Sequence, residues 1–217
     1  MRTAYLNKRI LREIRVNTEA TGAYASIMSL LGEGKVENCY LSEEMLCFQL
    51  FGNVFFNEDD MKRVQEGLLQ LERYKLISRE DCTKNGAVFD LATLEVNLME
   101  EYFANEQQYV QIDIEEIRKI FNNDLMGDKW RLFQVYLAWL NNMKRVTLTG
   151  FFSGEHHRME LGTLAPECQT QYSDVLETLG LICVCDRRKE KIYYCREHEF
   201  IEKYQRENYE YILDSYL

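Results

Sequence analysis

Proline is nearly absent from this chain: Pro166 is the single one in 217 residues. A proline-rich linker is therefore excluded, and helices can run without interruption. Long apolar runs are missing as well. Nowhere do about 18 apolar residues follow one another, so no membrane-spanning helix is expected. Residues 1–9 offer no apolar run of the kind a secretory leader needs. There is no glycine-rich phosphate loop, no nucleophile elbow and no His-Glu-x-x-His helix, which removes the commonest routes to nucleotide hydrolysis, acyl transfer and zinc proteolysis. The expectation is a chain that is not an enzyme and takes no cofactor. Positive charge is short too: 26 Lys and Arg stand against 36 Asp and Glu, a formal charge of -10. A chain with that balance binds nucleic acid only by gathering its cations into a local patch.

What is present is apolar and aromatic. With 46% hydrophobic and 12% aromatic residues, the chain can fill one large core or two cores of about 100 residues each. Seven cysteines, at 39, 47, 82, 168, 183, 185 and 195, are odd in number and sit mostly among apolar neighbours. That suits reduced thiols in a cytoplasm better than a disulfide framework, so a soluble, cytoplasmic protein is expected.

A seven-residue pattern, Leu-Glu-x-Φ-x-Leu-Ile with Φ apolar, occurs at Leu71–Ile77 and again at Leu176–Ile182. Each copy closes an amphipathic helix and opens a short, charge-tipped hairpin. In the first half, residues 3–16 predict a leading helix with Leu6, Ile10, Leu11 and Ile14 on one face and Lys8, Arg9, Arg12 and Arg15 largely on the others. A second helix carries Tyr24, Ile27, Met28, Leu30 and Leu31. Ser42 caps a third, which ends near Gly52. Asn57 caps a fourth with Glu58, Asp59 and Asp60 in its first turn; Met61, Val64, Leu68, Leu71 and Tyr74 form its inner face. The hairpin after it turns at Lys84-Asn85-Gly86.

The second half repeats the order. Ile112, Ile114, Ile117, Ile120 and Phe121 mark a leading helix and Trp130 to Leu140 a long one. A strand at 146–152, a short helix at 161–167 and a helix at 169–179 follow, with Gly180 as a left-handed cap. Shifting residues 24–31 by the 105 positions that separate the two motifs lands on 129–136, inside the long helix, which suggests one offset for two elements. A tail helix carries Phe200, Ile201, Tyr204, Tyr211 and Ile212 on one stripe.

This succession in each half resembles the winged helix-turn-helix of DNA-binding proteins. The tandem layout is similar to that of plasmid replication initiators, and the second half resembles the winged domain of primosome and phage replisome-organiser proteins from Gram-positive bacteria. The resemblance is one of pattern over nearly the whole chain. It implies a mostly α fold with small β-hairpins (α+β), with a first winged-helix domain at 1–108 for assembly or dimerisation. A second at 109–198 would read DNA, and a C-terminal helix at 199–217 would follow. The implied partners are double-stranded DNA, a second copy of the chain, and a replication or transcription protein, with no membrane.

A recognition helix meets DNA through its N-terminal half. In the first half that segment reads Asn57-Glu58-Asp59-Asp60, unfavourable beside phosphates. In the second it reads Gln169, Thr170, Gln171, Tyr172 and Ser173, uncharged groups suited to base edges and phosphate oxygens. The second hairpin tip adds Arg187, Arg188, Lys189 and Lys191, placed to meet the backbone or minor groove. These nine residues are the candidate DNA site. The plainer reading is that charged hairpin tips are solvated and polar residues at a helix start are caps. The basic face at 8–15 reads first as the solvated side of a core-packed helix, and Lys144, Arg145, His156, His157 and Arg158 either extend the positive surface or lie unpaired on it. Cys183, Cys185, Cys195 and His198 are the one arrangement resembling a metal site, but Cys-x-Cys on a strand lacks the convergent geometry of a zinc knuckle, so no metal is expected. The competing function is an acidic scaffold that binds proteins and not DNA.

Overall fold

The structure, a computed structural model, describes residues 3–15, 17–31, 38–52, 56–83, 86–90, 109–143, 149–153, 166–188 and 191–195. Its elements run β1 (Thr3–Asn7), α1 (Lys8–Glu13), α2 (Thr18–Leu31), β2 (Asn38–Leu41), α3 (Glu43–Phe51), α4 (Glu58–Arg73), β3 (Ser78–Thr83) and β4 (Gly86–Asp90). Then come β5 (Tyr109–Asp113), α5 (Ile114–Phe121), α6 (Lys129–Asn142), β6 (Thr149–Ser153), α7 (Pro166–Thr178), β7 (Cys183–Arg188) and β8 (Lys191–Cys195). The architecture is mostly helical with small antiparallel sheets, an α+β fold: β1 pairs with β5, β4 lies between β2 and β3, and β8 lies between β6 and β7.

The internal repeat is visible element by element. Thr3 to Tyr109 and Lys8 to Ile114 are steps of 106, Thr18 to Lys129 and Asn38 to Thr149 are steps of 111, and Ser78 to Cys183 and Gly86 to Lys191 are steps of 105. The long helix is thus displaced by 111, not by the 105 expected of it; the longer segment before α6 shifts it, and a shorter one before α7 restores the smaller step. Both hairpins carry an irregularity at the same place, between Arg79 and Asp81 and between Val184 and Asp186. A β-bulge adds local twist and is a feature of the strand pairing itself, so its recurrence is a second sign of duplication.

Two expected leading helices are corrected. Residues 3–7 form β1 and helix begins only at Lys8; Ile112 belongs to β5 and helix begins at Ile114. The spacing of Leu6, Ile10, Leu11 and Ile14 reads as a helix, but Ala4 and Leu6 alternate inward along a strand while Ile10, Leu11 and Ile14 point inward from α1 and its end. The β1–β5 register sets Tyr5 opposite Gln111, its own counterpart at a step of 106. Strand β2 was not expected at all. The tail helix at 199–217, the short helix at 161–167 apart from Pro166 and Glu167, and the connection at 91–108 lie outside the described residues.

The sequence boundary between 108 and 109 follows the repeat, whereas compactness divides the chain into residues 1–122 with 129–134 and residues 123–128 with the chain from Val135 onward. Helix α6 contributes to both. In the first unit the core is built where α2 meets α4. Gly67 sits so close to α2 that an added Cβ would overlap the Glu19 carbonyl oxygen and stand 2.7 Å from its carbon. Beside this crossing, the Phe121 ring meets Phe51 at 5.2 Å, Trp130 at 5.1 Å and Phe133 at 5.4 Å, tilted or edge-on, the offset geometry aromatic quadrupoles favour. Tyr24 is wholly buried. Its hydroxyl accepts the Asn7 backbone N–H at 2.8 Å, and burial pushes its pKa far above the usual tyrosine range.

Local signals set most helix ends as expected. Ser42 accepts the Met45 N–H at 3.2 Å, and Asn57 and Asp60 form a reciprocal capping box at 2.9 and 3.2 Å. Gly52 closes α3 with φ +66. Tyr74 differs: it caps α4 with its side chain exposed instead of buried.

Candidate nucleic-acid interface

Helix α7 starts at Pro166, where the ring presets a helical φ and the missing N–H would have had no partner. The helix therefore begins three residues before the expected position, and Gln169 lies within it. Thr170 and Gln171 are exposed. Tyr172 and Ser173 are not: they are 9% and 0% accessible, and the Ser173 hydroxyl donates to the Thr170 carbonyl at 2.7 Å. These two residues are withdrawn from the candidate site, because a side chain packed inward reaches neither base nor phosphate. With Leu176, also fully buried, they form the i, i+1, i+4 inner face that anchors the helix.

The outer face of α7 is the stripe Thr170, Gln171, Asp174, Glu177 and Thr178. It holds two carboxylates that the sequence reading left out by stopping at residue 173; a step of four from Thr170 would have found Asp174. Glu177 has a structural task, since its carboxylate accepts the Val184 N–H at 3.0 Å and ties the helix end to β7. The Thr178 hydroxyl donates to the Asp174 carbonyl at 2.8 Å. No Lys or Arg occurs anywhere in the helix.

Between helix and hairpin, the chain reverses identically in both repeats. Leu76 N–H bonds to Leu71 O and Leu181 N–H to Leu176 O, each at 3.0 Å, the closing bond of a Schellman turn. The left-handed residue is Gly180 at φ +65, as expected, and in the first repeat Lys75 at φ +57.

The hairpin strands run further out than the sequence suggested, to Arg188 and back from Lys191. Arg188 stands directly opposite Lys191, and Arg187 opposite Ile192. Lys189 lies outside the described residues, as do Lys144, Arg145, His156, His157, Arg158 and His198.

The step of 105 allows the two faces to be compared position for position, and it corrects the earlier pairing of Asn57–Asp60 with Gln169–Ser173. Thr170, Gln171, Asp174 and Thr178 correspond to Gln65, Glu66, Leu69 and Arg73. Helix α7 begins at the equivalent of Met61, so Glu58, Asp59 and Asp60 have no counterpart within it. The electrostatic differences between the repeats are that extra acidic turn, the hairpin tips, where Arg187, Arg188 and Lys191 replace Cys82, Thr83 and Gly86, and the helix itself, where Glu167, Cys168, Asp174 and Thr178 stand at the places of Lys62, Arg63, Leu69 and Arg73.

Other candidates resolve as structural. On α1, Arg9 pairs with Glu13 at 3.7 Å on a largely exposed surface. Burial and the nearby Arg12 charge lower the Lys8 pKa. Cys195 does come opposite Cys183 in the hairpin, but no group of three or more His, Cys, Asp or Glu able to hold a metal occurs among the described residues. The Cys47 thiol is buried and pushed up to about 12, by desolvation first and then by Asp60, Glu43 and Glu44, so it is a packing residue and not a nucleophile. Among the described residues, no helix is long and apolar enough to cross a membrane. Comparison with family models, curated proteins and solved structures returns no match, so the chemistry of the faces carries the functional reading.

Proposed function

We propose that this chain is a double-stranded-DNA-binding protein built from two winged-helix units, acting in replication initiation or transcriptional regulation, and reading DNA mainly with α7 and the β7–β8 hairpin. The observation that carries the reading is the strand register of the second hairpin, which sets Arg188 opposite Lys191 and Arg187 opposite Ile192. That hairpin follows an exposed helix face on which Thr170 and Gln171 are uncharged. Helix supplies base contacts and tip supplies phosphate contacts in such a unit. The first unit, with an acidic turn at the start of α4, serves assembly, including a homodimer.

The acidic-scaffold alternative draws on a specific observation: α3 exposes Met45 and Phe48, at 38% and 44%, beside Glu43 and Glu44, a face suited to a cationic protein partner. A mobility-shift titration across a salt series separates the two. Under the DNA reading, affinity falls steeply with salt and an Arg187→Ala, Arg188→Ala variant loses retardation. Absence of retardation at low salt, together with co-purification of a basic protein, would establish the scaffold instead.

A further inference from the structure

We propose that Cys183 and Cys195 form a reversible redox site, a pair of thiols that a low-molecular-weight disulfide such as oxidised glutathione converts into a cross-strand disulfide at the open end of the β7–β8 hairpin. This follows from the strand register and is independent of DNA binding.

Cys183 opens β7, Cys195 closes β8, and the two are direct partners in the register. Directly opposed residues of an antiparallel pair have Cα atoms about 4.5 or about 5.5 Å apart, and a disulfide spans Cα separations of about 4.4–6.8 Å. The register alone therefore places this pair within disulfide range. Cys185, two residues along, is set apart. The register passes from Val184 opposite Tyr194 to Asp186 opposite Tyr193, so Cys185 is the bulged residue and has no counterpart in β8. On its other side Cys195 meets Thr149 of β6, which brings no thiol. In the first repeat the same register positions, a step of 105 away, hold Ser78 and Asp90, so the dithiol is particular to the second hairpin.

Cys183 is reduced and half-buried. Its existing interaction within the fold is no obstacle, because the exchange requires only that the two sulfurs approach. One protein thiol, as thiolate, attacks a sulfur of oxidised glutathione and releases one glutathione thiolate; the second gives up its proton, attacks the mixed disulfide and releases the other. One S–S bond breaks and one forms, the protein dithiol is oxidised, and two glutathione thiols leave with the two protons. Opposed Cβ atoms lie about 4.5–5.5 Å apart, whereas a disulfide draws them to about 3.5–4.5 Å. The bond thus pulls the hairpin together under strain, and a strained disulfide is the readily reduced kind, suited to reversible control and not to permanent cross-linking.

The test incubates the full chain, dilute, in glutathione buffers of rising oxidised-to-reduced ratio, blocks the remaining thiols with iodoacetamide and maps linked peptides by mass spectrometry. The expected product is a monomer, two hydrogens lighter, with Cys183 joined to Cys195 and five cysteines alkylated of the seven; dithiothreitol restores all seven. In the folded chain Cys183 is expected to be used about tenfold more than Cys185, and in urea about equally, since loops of similar length close at similar cost. Cys185→Ser is expected to leave the bond intact, and Cys183→Ser to abolish it. Alkylation of both Cys183 and Cys195 at every ratio, a glutathione adduct that never resolves, or equal use of Cys185 in the folded chain overturns the inference.

Discussion

Helices α4 and α7 hold equivalent places in the two repeats and solve different problems. Their inner faces coincide: Gly67, Leu68 and Leu71 in one, Tyr172, Ser173 and Leu176 in the other, all buried. Yet Gly67 is required because α2 approaches within a distance that admits no Cβ, while α7 has room for a tyrosine ring at the same position. Helix α4 also carries an acidic first turn and Arg63. That guanidinium bonds Glu19 at 2.7 Å and lies 4.9 Å over the Trp130 ring; the equivalent residue of α7 is Cys168. So α4 is locked by close packing and a charged clamp, and α7 is held by its inner stripe and by Glu177.

The largest effect on this contrast is expected from Gly67→Ala. The methyl group meets backbone atoms of Glu19, which cannot step aside, so a loss of about 3 kcal/mol is expected, read as a lower denaturant midpoint. Next is the hairpin comparison. Arg187→Ala with Arg188→Ala is expected to weaken DNA binding about tenfold or more at low salt and to flatten the log affinity–log salt slope by about 2. Cys82→Ala with Thr83→Ala, at the matching positions, is expected to leave both unchanged in the same titration.

The clamp gives a pH signature to the first unit. Burial alone would raise the Glu19 pKa, but hydrogen bonds from Thr18, Arg63 and the backbone, with the Arg63 charge, outweigh it and hold the carboxyl below its usual range. A lowered folded-state pKa means that the unfolded chain takes up the proton first. The stabilisation is therefore complete above the ordinary glutamate range, about 4.3, and is lost as pH falls through the folded value. Arg63→Ala is expected to cost about 1 kcal/mol near neutrality and to shrink that acid-side loss in unfolding curves recorded from about pH 6 downward. The smallest effect is expected at the turn. Lys75→Gly relieves a left-handed backbone that Gly180 adopts without steric penalty in the second repeat, raising stability by about 0.5 kcal/mol and the melting temperature accordingly.

Much of this molecule was legible from short-range chemistry. Ser42 and Asn57 were readable as caps because a cap bond spans three residues, and Gly180 because a left-handed turn favours glycine whatever surrounds it. The inward turn of Tyr172 and Ser173 was also readable, since they share a helical stripe with Leu176, but attention to polarity hid the periodicity. Lys75 was not readable: nothing in a lysine announces a positive φ, and its turn is forced by the bonds around it. Strands β1 and β5 escaped because their pairing partners lie far apart in the chain, from Asn7 with Tyr109 to Thr3 with Asp113, and a lone apolar alternation beside a helix merges into the helix pattern.

By itself the sequence determined the repeat, the helix caps, the hairpins and the acidic balance, because these depend on composition and on neighbours a few residues away. Only the tertiary structure decided that β1 pairs with β5, that Gly67 admits no side chain, and that Arg63 reaches both Glu19 and the Trp130 ring. Each of those depends on which surfaces meet across long stretches of chain, and burial is a property of the meeting, not of either segment alone.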